Sequence, residues 1–395
     1  MKVIVEKLDN LGQGIAHIND KIVFIKNVLP KEEVDIKIVA DKKKYQKAEV
    51  IKIITKSNER QDNVCPYHKN CGGCNLGHLK YESALKYKSE KLKEIIFKNT
   101  NELVNPIIIK SDKQYNYRNK ITLKIENYNW GYYSLESHNF IPINKCLLAK
   151  DVINNIIGNK NLFKIKNGEI VIRCNDKNEI LLHIKTQDKY NINVNDMNKL
   201  NIIGVVVNDK LIYGQNYFYH EINNVKYKIS YNSFFQINDY ICSQIFNILN
   251  EQNLGENLLD LYCGVGTLGL SVAKNIKKLY GIEIIENAII DAKLNAKENN
   301  IKNATYFVGK VEDNVKNIKD NIDTIIVDPP RKGLNNIEEI LKFNSKNIIY
   351  ISCDPVTLGR DLKMLTKFYN IEKTYMLDMF PNTYHNESLV ILKQK

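Results

Sequence analysis

The sequence predicts an α/β protein whose C-terminal part is a doubly wound parallel sheet, preceded by two β-rich modules. Three observations predict it. From Asn257 onward apolar strand-like runs alternate with helical ones, and the first such strand opens into a glycine turn, Gly264-Val265-Gly266-Thr267-Leu268-Gly269. Short alternating runs separated by turn residues fill the first 55 positions. A chain of 395 residues is also too long for one ordinary core. The pattern shifts set three modules, residues 1–55, 56–230 and 231–395.

The composition narrows the class. No run of eighteen apolar residues exists, and charge interrupts Met1-Lys2-Val3-Ile4-Val5-Glu6-Lys7 where a signal peptide needs an apolar core; the expectation is a soluble cytoplasmic protein with no membrane role. Its eight cysteines then point to metal ligation or catalysis before disulfides. The net charge of +12 favours a polyanionic partner, most simply nucleic acid. That signal is diluted by a bias toward Lys, Ile, Asn and Tyr, and only Arg60, Arg118, Arg173, Arg331 and Arg360 are arginine.

In the first module, Val3–Val5, Lys21–Ile25, Val34–Val39 and Ala48–Ile54 read as short strands, with turns at Asn10–Gly14 and Leu29–Lys31. Strands at this spacing form a small OB-like barrel, and Lys42-Lys43-Lys44-Tyr45 gives one loop the character of a nucleic-acid contact. The segment resembles the TRAM domain, an RNA-binding barrel, in Gly12-x-Gly14, Val23-Phe24-Ile25 and Leu29-Pro30. Residues 56–63 read as a linker.

The second module opens on Cys65, Cys71 and Cys74, with Gly72-Gly73 loosening the backbone between them and Cys146 as a possible distant fourth ligand. Four thiolates suit a tetrahedral zinc or an iron–sulfur cluster, and spacing does not separate the two. His68 and His78 read as ordinary surface residues. Residues 79–97 read as a helix, and Tyr115-Asn116-Tyr117-Arg118-Asn119-Lys120 as a basic, aromatic entry to a strand suited to stacking and phosphate contact. Alternating runs such as Glu169–Arg173 and Ile180–Ile184 predict a mostly antiparallel module.

In the third module, Leu258–Tyr262 leads into the glycine turn and Leu279–Ile282 ends at Glu283. Such a unit holds a nucleoside, glycines allowing close approach and the acid accepting ribose hydroxyls. A nicotinamide dehydrogenase fits this pattern as well as an S-adenosylmethionine enzyme. Two further strands decide between them: Thr324–Val327 ends in Asp328-Pro329-Pro330-Arg331, and Ile348–Ile351 ends at Ser352-Cys353-Asp354-Pro355. In open parallel sheets ligands bind beyond the carboxyl ends of the strands, so Cys353 is a candidate nucleophile.

Phe234-Phe235-Gln236-Ile237-Asn238, Asp260-Leu261-Tyr262-Cys263-Gly264-x-Gly266-Thr267, Asp328-Pro329-Pro330-Arg331, Ser352-Cys353-Asp354-Pro355 and Phe380-Pro381-x-Thr383-x-His385-x-Glu387 together resemble the RNA uracil-5 methyltransferase family, and the N-terminal segment and cysteines resemble its ribosomal RNA branch. The resemblance implies a Rossmann-like class I methyltransferase domain, a TRAM barrel, and a central iron–sulfur domain holding a four-iron, four-sulfur cluster on Cys65, Cys71, Cys74 and Cys146. It further implies S-adenosylmethionine contacts at Gln236, Tyr262, Gly264, Gly266, Thr267, Glu283 and Asp328, Cys353 as nucleophile and Glu387 as base. The substrate implied is 23S ribosomal RNA, methylated at uridine C5 by a monomer. Transfer RNA is the same-chemistry alternative; an exocyclic-amine methyltransferase and a non-catalytic RNA-binding iron–sulfur protein are the alternatives of other classes. Two positions depart from the pattern: Lys310 stands where the adenine is usually met, and Asn386 where an apolar residue is usual. One of Arg331, Lys332 and Arg360 is expected to favour the thiolate of Cys353.

Overall fold

A computed structural model describes residues 1–134 and 139–395 and divides into two compact units. One comprises residues 1–91, 133–141 and 380–385; the other comprises residues 92–132, 142–379 and 386–395. Among the described residues no helix is long and apolar enough to cross a membrane.

In the first unit a six-stranded sheet runs in the order Lys2–Ile4, Glu33–Asp41, Tyr45–Thr55, Lys21–Ile25, Gly14–Ile18 and Lys7–Leu8. Period-two alternation turns Val34 and Ile36 inward, where they meet Val5, Ala16, Val23, Ile25, Val28 and Ala48 in one core. Gly14 is required there, because a Cβ would come within 2.3 Å of Val28 Cγ2. The Lys42–Lys44 run stands exposed at the tip between two long strands. The loop at Asp9 is held by its own carboxylate, whose Oδ1 accepts from the amides of Leu11 and Gln13, and by Lys91 Nζ donating to the Asn10 carbonyl at 2.6 Å. His78 is buried, at 2 % exposure, and packs at 5.6 Å from the His68 ring, so these two rings are part of the packing and not the surface residues that the sequence suggested.

In the second unit a sheet carries Asn129–Tyr133, Lys120–Glu126, Gly168–Cys174, Ile180–Lys185, Ile202–Val207 and Lys210–Gly214 in that spatial order. It is antiparallel as expected, except that Ile180–Lys185 pairs in parallel with Ile202–Val207. The helix Asp151–Gly158 buries Ile153, Ile156 and Ile157.

The larger sheet of this unit is the doubly wound one. Its strands are β1 (Asn257–Leu261), β2 (Lys278–Glu283), β3 (Ala304–Val308), β4 (Thr324–Val327), β5 (Asn347–Ser352), β6 (Tyr369–Leu377) and β7 (Glu387–Gln394), ordered β3-β2-β1-β4-β5-β7-β6 with Ile107–Ile109 added beyond β6. From β3 to β5 all pairs are parallel, and β7 is antiparallel to both neighbours. β4 and β5 are buried on both faces, as their unbroken Ile and Val runs require. Order reverses at β1, which puts the switch point beside the glycine turn.

The first unit rests on one dehydrated ion pair. Glu32 is fully buried and accepts from Arg60 Nε at 2.6 Å and Nη2 at 2.8 Å, and from the amides of Leu29 and Ser57. Burial raises the pKa of this carboxyl, but Arg60 and the two amides together hold it below the usual range. Its contribution to stability is therefore complete above about pH 4.5 and is lost as pH falls through the folded-state value. Glu32→Ala leaves a guanidinium uncompensated and is expected to cost about 3–5 kcal/mol in urea denaturation; a loss under about 1 kcal/mol contradicts this account.

Candidate active site

Five strand ends meet on one rim of the large sheet. β1, β2, β4 and β5 are parallel and present their carboxyl ends there, leading into Tyr262, Glu283, Asp328 and Cys353. β7 is antiparallel to β5 with Ser388 opposite Ser352, so its amino end brings Glu387 to the same rim.

The glycine turn leaves room beside this rim. Gly264 and Gly266 have φ of +55° and +82°, and a Cβ built on Gly264 would meet nothing within 4 Å, an open approach for a ligand. Tyr262, just before them, holds φ at +63°, a conformation bulky residues avoid at a cost of about 1–3 kcal/mol. Asp260 fixes the turn from behind: its Oδ2 accepts from the Gly269 amide at 2.9 Å while its buried Oδ1 has no partner. Burial pushes this carboxyl up to about 8. Glu283 spans the turn, accepting from the Gly264 amide at 3.2 Å and the Ile285 amide at 2.9 Å. Each oxygen keeps acceptor capacity for a hydroxyl. These residues suit a nucleoside cofactor: an open backbone cradle, an acid beyond it and a half-buried aromatic ring.

Glu387 is buried, and Asp328 and Cys353 are half-buried beside it. Burial, then Asp328, raises Glu387 well above the usual carboxylate range, with Arg331 opposing. Asp328 is pushed up by burial as well, to about 7. Burial, then Glu387 and Asp328, pushes the Cys353 thiol up to about 11, against the charge of Arg331 and its hydrogen bond to the sulfur. Arg331 is thus the basic residue that faces the thiol. Arg360 is engaged elsewhere, donating from Nε to Asp361 at 2.8 Å and from Nη2 to the Lys332 carbonyl at 2.8 Å.

The loop carrying Arg331 is clamped by residues that the sequence did not single out. Asp361 is buried and accepts from Tyr350 Oη at 2.6 Å, the Leu334 amide at 2.8 Å and Arg360. At Gly333, φ of +75° and a Cβ position only 2.5 Å from Asp361 Oδ2 leave no room for a side chain. No motif marks Asp361, which sits in the helix Pro355–Leu365 like any helical acid. The same helix begins where Asp354 Oδ1 accepts from the Val356 and Thr357 amides, which ends the strand cleanly before Cys353 turns out.

The remaining expected residues lie as follows. Gln236 is buried, its carbonyl accepting from Asn119 Nδ2 at 2.9 Å, next to Asn238, which caps the helix Asp239–Asn250. Thr267 begins the helix Thr267–Val272, and its carbonyl accepts from Tyr227 Oη at 2.9 Å. Cys65, Cys71 and Cys74 are half-buried and in no disulfide, lying in and around the helix His68–Cys71, with Gly72 left-handed after it; Cys146 is a half-buried cysteine of the other unit, likewise in no disulfide. Among the described residues no three His, Cys, Asp or Glu side chains are gathered closely enough to hold a metal. The donor set has metal-binding chemistry.

Residues 80–395 match the family described as tRNA (uracil-5-)-methyltransferase, and residues 1–51 match the TRAM domain. An uncharacterized RNA methyltransferase of Clostridium acetobutylicum is 34% identical, the match covering 100% of this chain and 96% of the relative; one of Aquifex aeolicus is 31% identical over 100% and 99%. Among solved structures, the Pyrococcus abyssi tRNA (uracil-54, C5)-methyltransferase in complex with S-adenosyl-L-homocysteine is 26% identical with a TM-score of 0.80, covering 99% of this chain and 100% of that one.

Because only thiolate reacts, alkylation of Cys353 by iodoacetamide should rise about tenfold per pH unit between roughly pH 7 and 10, and Arg331→Met should slow it several-fold. Peptide mass mapping separates Cys353 from the other thiols. A plateau reached by pH 9, or no effect of Arg331→Met, is the result this electrostatic picture does not allow.

Proposed function

Because the chain belongs to the tRNA (uracil-5-)-methyltransferase family, we propose that it methylates C5 of a uridine in 23S ribosomal RNA through a covalent adduct on Cys353. It is an S-adenosylmethionine-dependent RNA methyltransferase. The observation that carries the proposal is the meeting of Cys353, Glu387, Asp328 and Arg331 on one rim beside the open glycine turn.

In this reading Tyr262, Gly264, Gly266, Thr267, Glu283 and Gln236 hold the cofactor, Glu283 taking the ribose hydroxyls, and Asp328 orients the cofactor and the uracil edge. When bound, S-adenosylmethionine supplies an electrophilic methyl group. A uracil in a stack cannot reach the rim, so the base is flipped out first. The Cys353 thiolate adds to C6, and the electron pair of the C5–C6 double bond makes C5 a nucleophilic carbon that takes the methyl. C5 then carries both methyl and proton. The Glu387 carboxylate removes that proton, the double bond re-forms, and the C6–S bond breaks to release thiolate. A carboxylate raised by burial is a stronger base than an exposed one, which suits this last step. Arg331 lowers the charge cost of the thiolate.

Residues 1–55 serve as the RNA-binding barrel, 56–230 as the central domain and 231–395 as the catalytic domain, of a cytoplasmic monomer. Cys65, Cys71, Cys74 and Cys146 would hold a four-iron, four-sulfur cluster, with zinc the alternative, and no catalytic step depends on it. The N-terminal module and the cysteines favour ribosomal RNA. A second reading, transfer RNA, has its support in the substrate of the Pyrococcus abyssi structure.

Nucleoside mass spectrometry of 23S ribosomal RNA and transfer RNA transcripts incubated with enzyme and cofactor tests the reading. Formation of 5-methyluridine in 23S ribosomal RNA is expected, with activity lost by more than about 10³-fold in Cys353→Ala and by about 10²–10⁴-fold in Glu387→Gln. Product in transfer RNA alone moves the assignment to the second reading; product in neither rejects both. Anaerobic purification should give a brown, iron-containing protein, and a colourless zinc-loaded one rejects the cluster.

A further inference from the structure

Arg173 carries a buried charge, and among the described residues no acid pairs with it. The residue is 5 % exposed, and its Nε has no hydrogen-bond partner. Its partner across the antiparallel ladder is another cation, Lys120. Like charges directly opposite on a ladder repel, and an uncompensated buried guanidinium is costly because arginine does not give up its proton. Burial alone pushes Arg173 down to about 10, and burial with Arg173 nearby, against the charge of Glu169, pushes Lys120 down to about 8.

Both cations line a cavity with His220, Phe218 and Phe235, about 220 Å³ counted to its open mouth, and among the described residues no acid lines it. Nearby carboxylates are committed elsewhere: Glu169, whose charge acts on Lys120, takes Lys124, and Asp239 takes Lys150 at 2.6 Å, His220 Nε2 at 3.1 Å and Asn119 Nδ2 at 2.6 Å. The cavity adjoins the segment of Gln236, since Phe235 lines it and Asn119 bonds the Gln236 carbonyl. A buried guanidinium without an acid partner, a second cation beside it, apolar walls and an open mouth call for an anion that inserts one oxygen. A nucleobase is too large for the enclosed part.

We propose that Arg173 and Lys120 bind one phosphodiester group of the RNA substrate, a non-bridging oxygen entering the cavity between them. The inference rests on the RNA methyltransferase reading, and it adds a substrate-positioning site outside the catalytic rim. Neutralising one phosphate releases about one counterion, so the site has a salt signature that a merely structural arginine lacks.

The full-length protein is titrated with the RNA transcript that it methylates, at several salt concentrations. Arg173→Met is expected to raise the KM for RNA about tenfold and to lower the salt slope of RNA binding by about one, with S-adenosylmethionine affinity unchanged. Arg173→Lys, which keeps the charge, should stay within about threefold of wild type, and Lys120→Met should repeat the fall in slope. An Arg173→Met protein with wild-type KM and salt slope overturns the proposal. So does stabilisation of wild type, but not of Arg173→Met, by inorganic phosphate without any change in RNA binding, which assigns the cavity to a free anion. Failure of the methyltransferase reading looks different: wild type then binds RNA and methylates no uracil.

Discussion

A buried carboxylate, Glu387, and a half-buried one, Asp328, share a rim with a thiol, and the charge of Arg331 opposes the upward shifts of Glu387 and Cys353. Left to solvent these groups would be an ordinary acid pair and a weakly acidic thiol. Their burial makes Glu387 a stronger base and leaves Cys353 dependent on one guanidinium. The rest of the larger unit serves to hold that arrangement. Four parallel strands deliver carboxyl ends, a single antiparallel strand delivers an amino end, and the Asp361 clamp holds the loop on which Arg331 sits. Backbone strain sits beside it at Tyr262, whose φ is +63°, while the two glycines that follow take left-handed φ freely.

Some of this was legible in the residues. Ile348–Ile351 reads as a buried strand, and Asp354-Pro355 as its stop, because a β-branched run and an Asp-Pro pair act locally; the structure ends β5 at Ser352 and caps the next helix with Asp354. The glycine turn and Glu283 were legible for the same reason. The place of Glu387 was not, except through resemblance, because a strand's direction is a property of its neighbours and no residue in β7 encodes it. Asp361 was invisible because a buried acid in a helix looks like a solvent-facing one until Tyr350 and Leu334 are brought to it. His78 misled in the opposite way: near a cysteine cluster in a polar stretch it reads as surface, yet it is covered. Lys120 and Arg173 lie 53 positions apart, and only the ladder register makes them neighbours.

The same physical theme, charge held where water is scarce, recurs with different outcomes. Glu32 and Arg60 satisfy each other and stabilise the first unit. Asp239 is satisfied by Lys150 and His220, so that, although burial raises it, the carboxyl is held down to about 2. Among the described residues Arg173 has no such partner, and on the catalytic rim Arg331 faces both Glu387 and Cys353. Satisfied charges mark structure here, and unsatisfied ones mark the places where a substrate is expected to complete the balance.

The covalent step is the centre of the account, and RNA containing 5-fluorouracil tests it most directly, because fluorine at C5 cannot be removed as a proton and the Cys353–C6 bond cannot be released. With S-adenosylmethionine present, wild type should form a denaturation-resistant protein–RNA complex whose modified peptide maps to Cys353, and Cys353→Ala should form none. A complex that survives in Cys353→Ala, or none with wild type under conditions where the RNA binds, contradicts the mechanism.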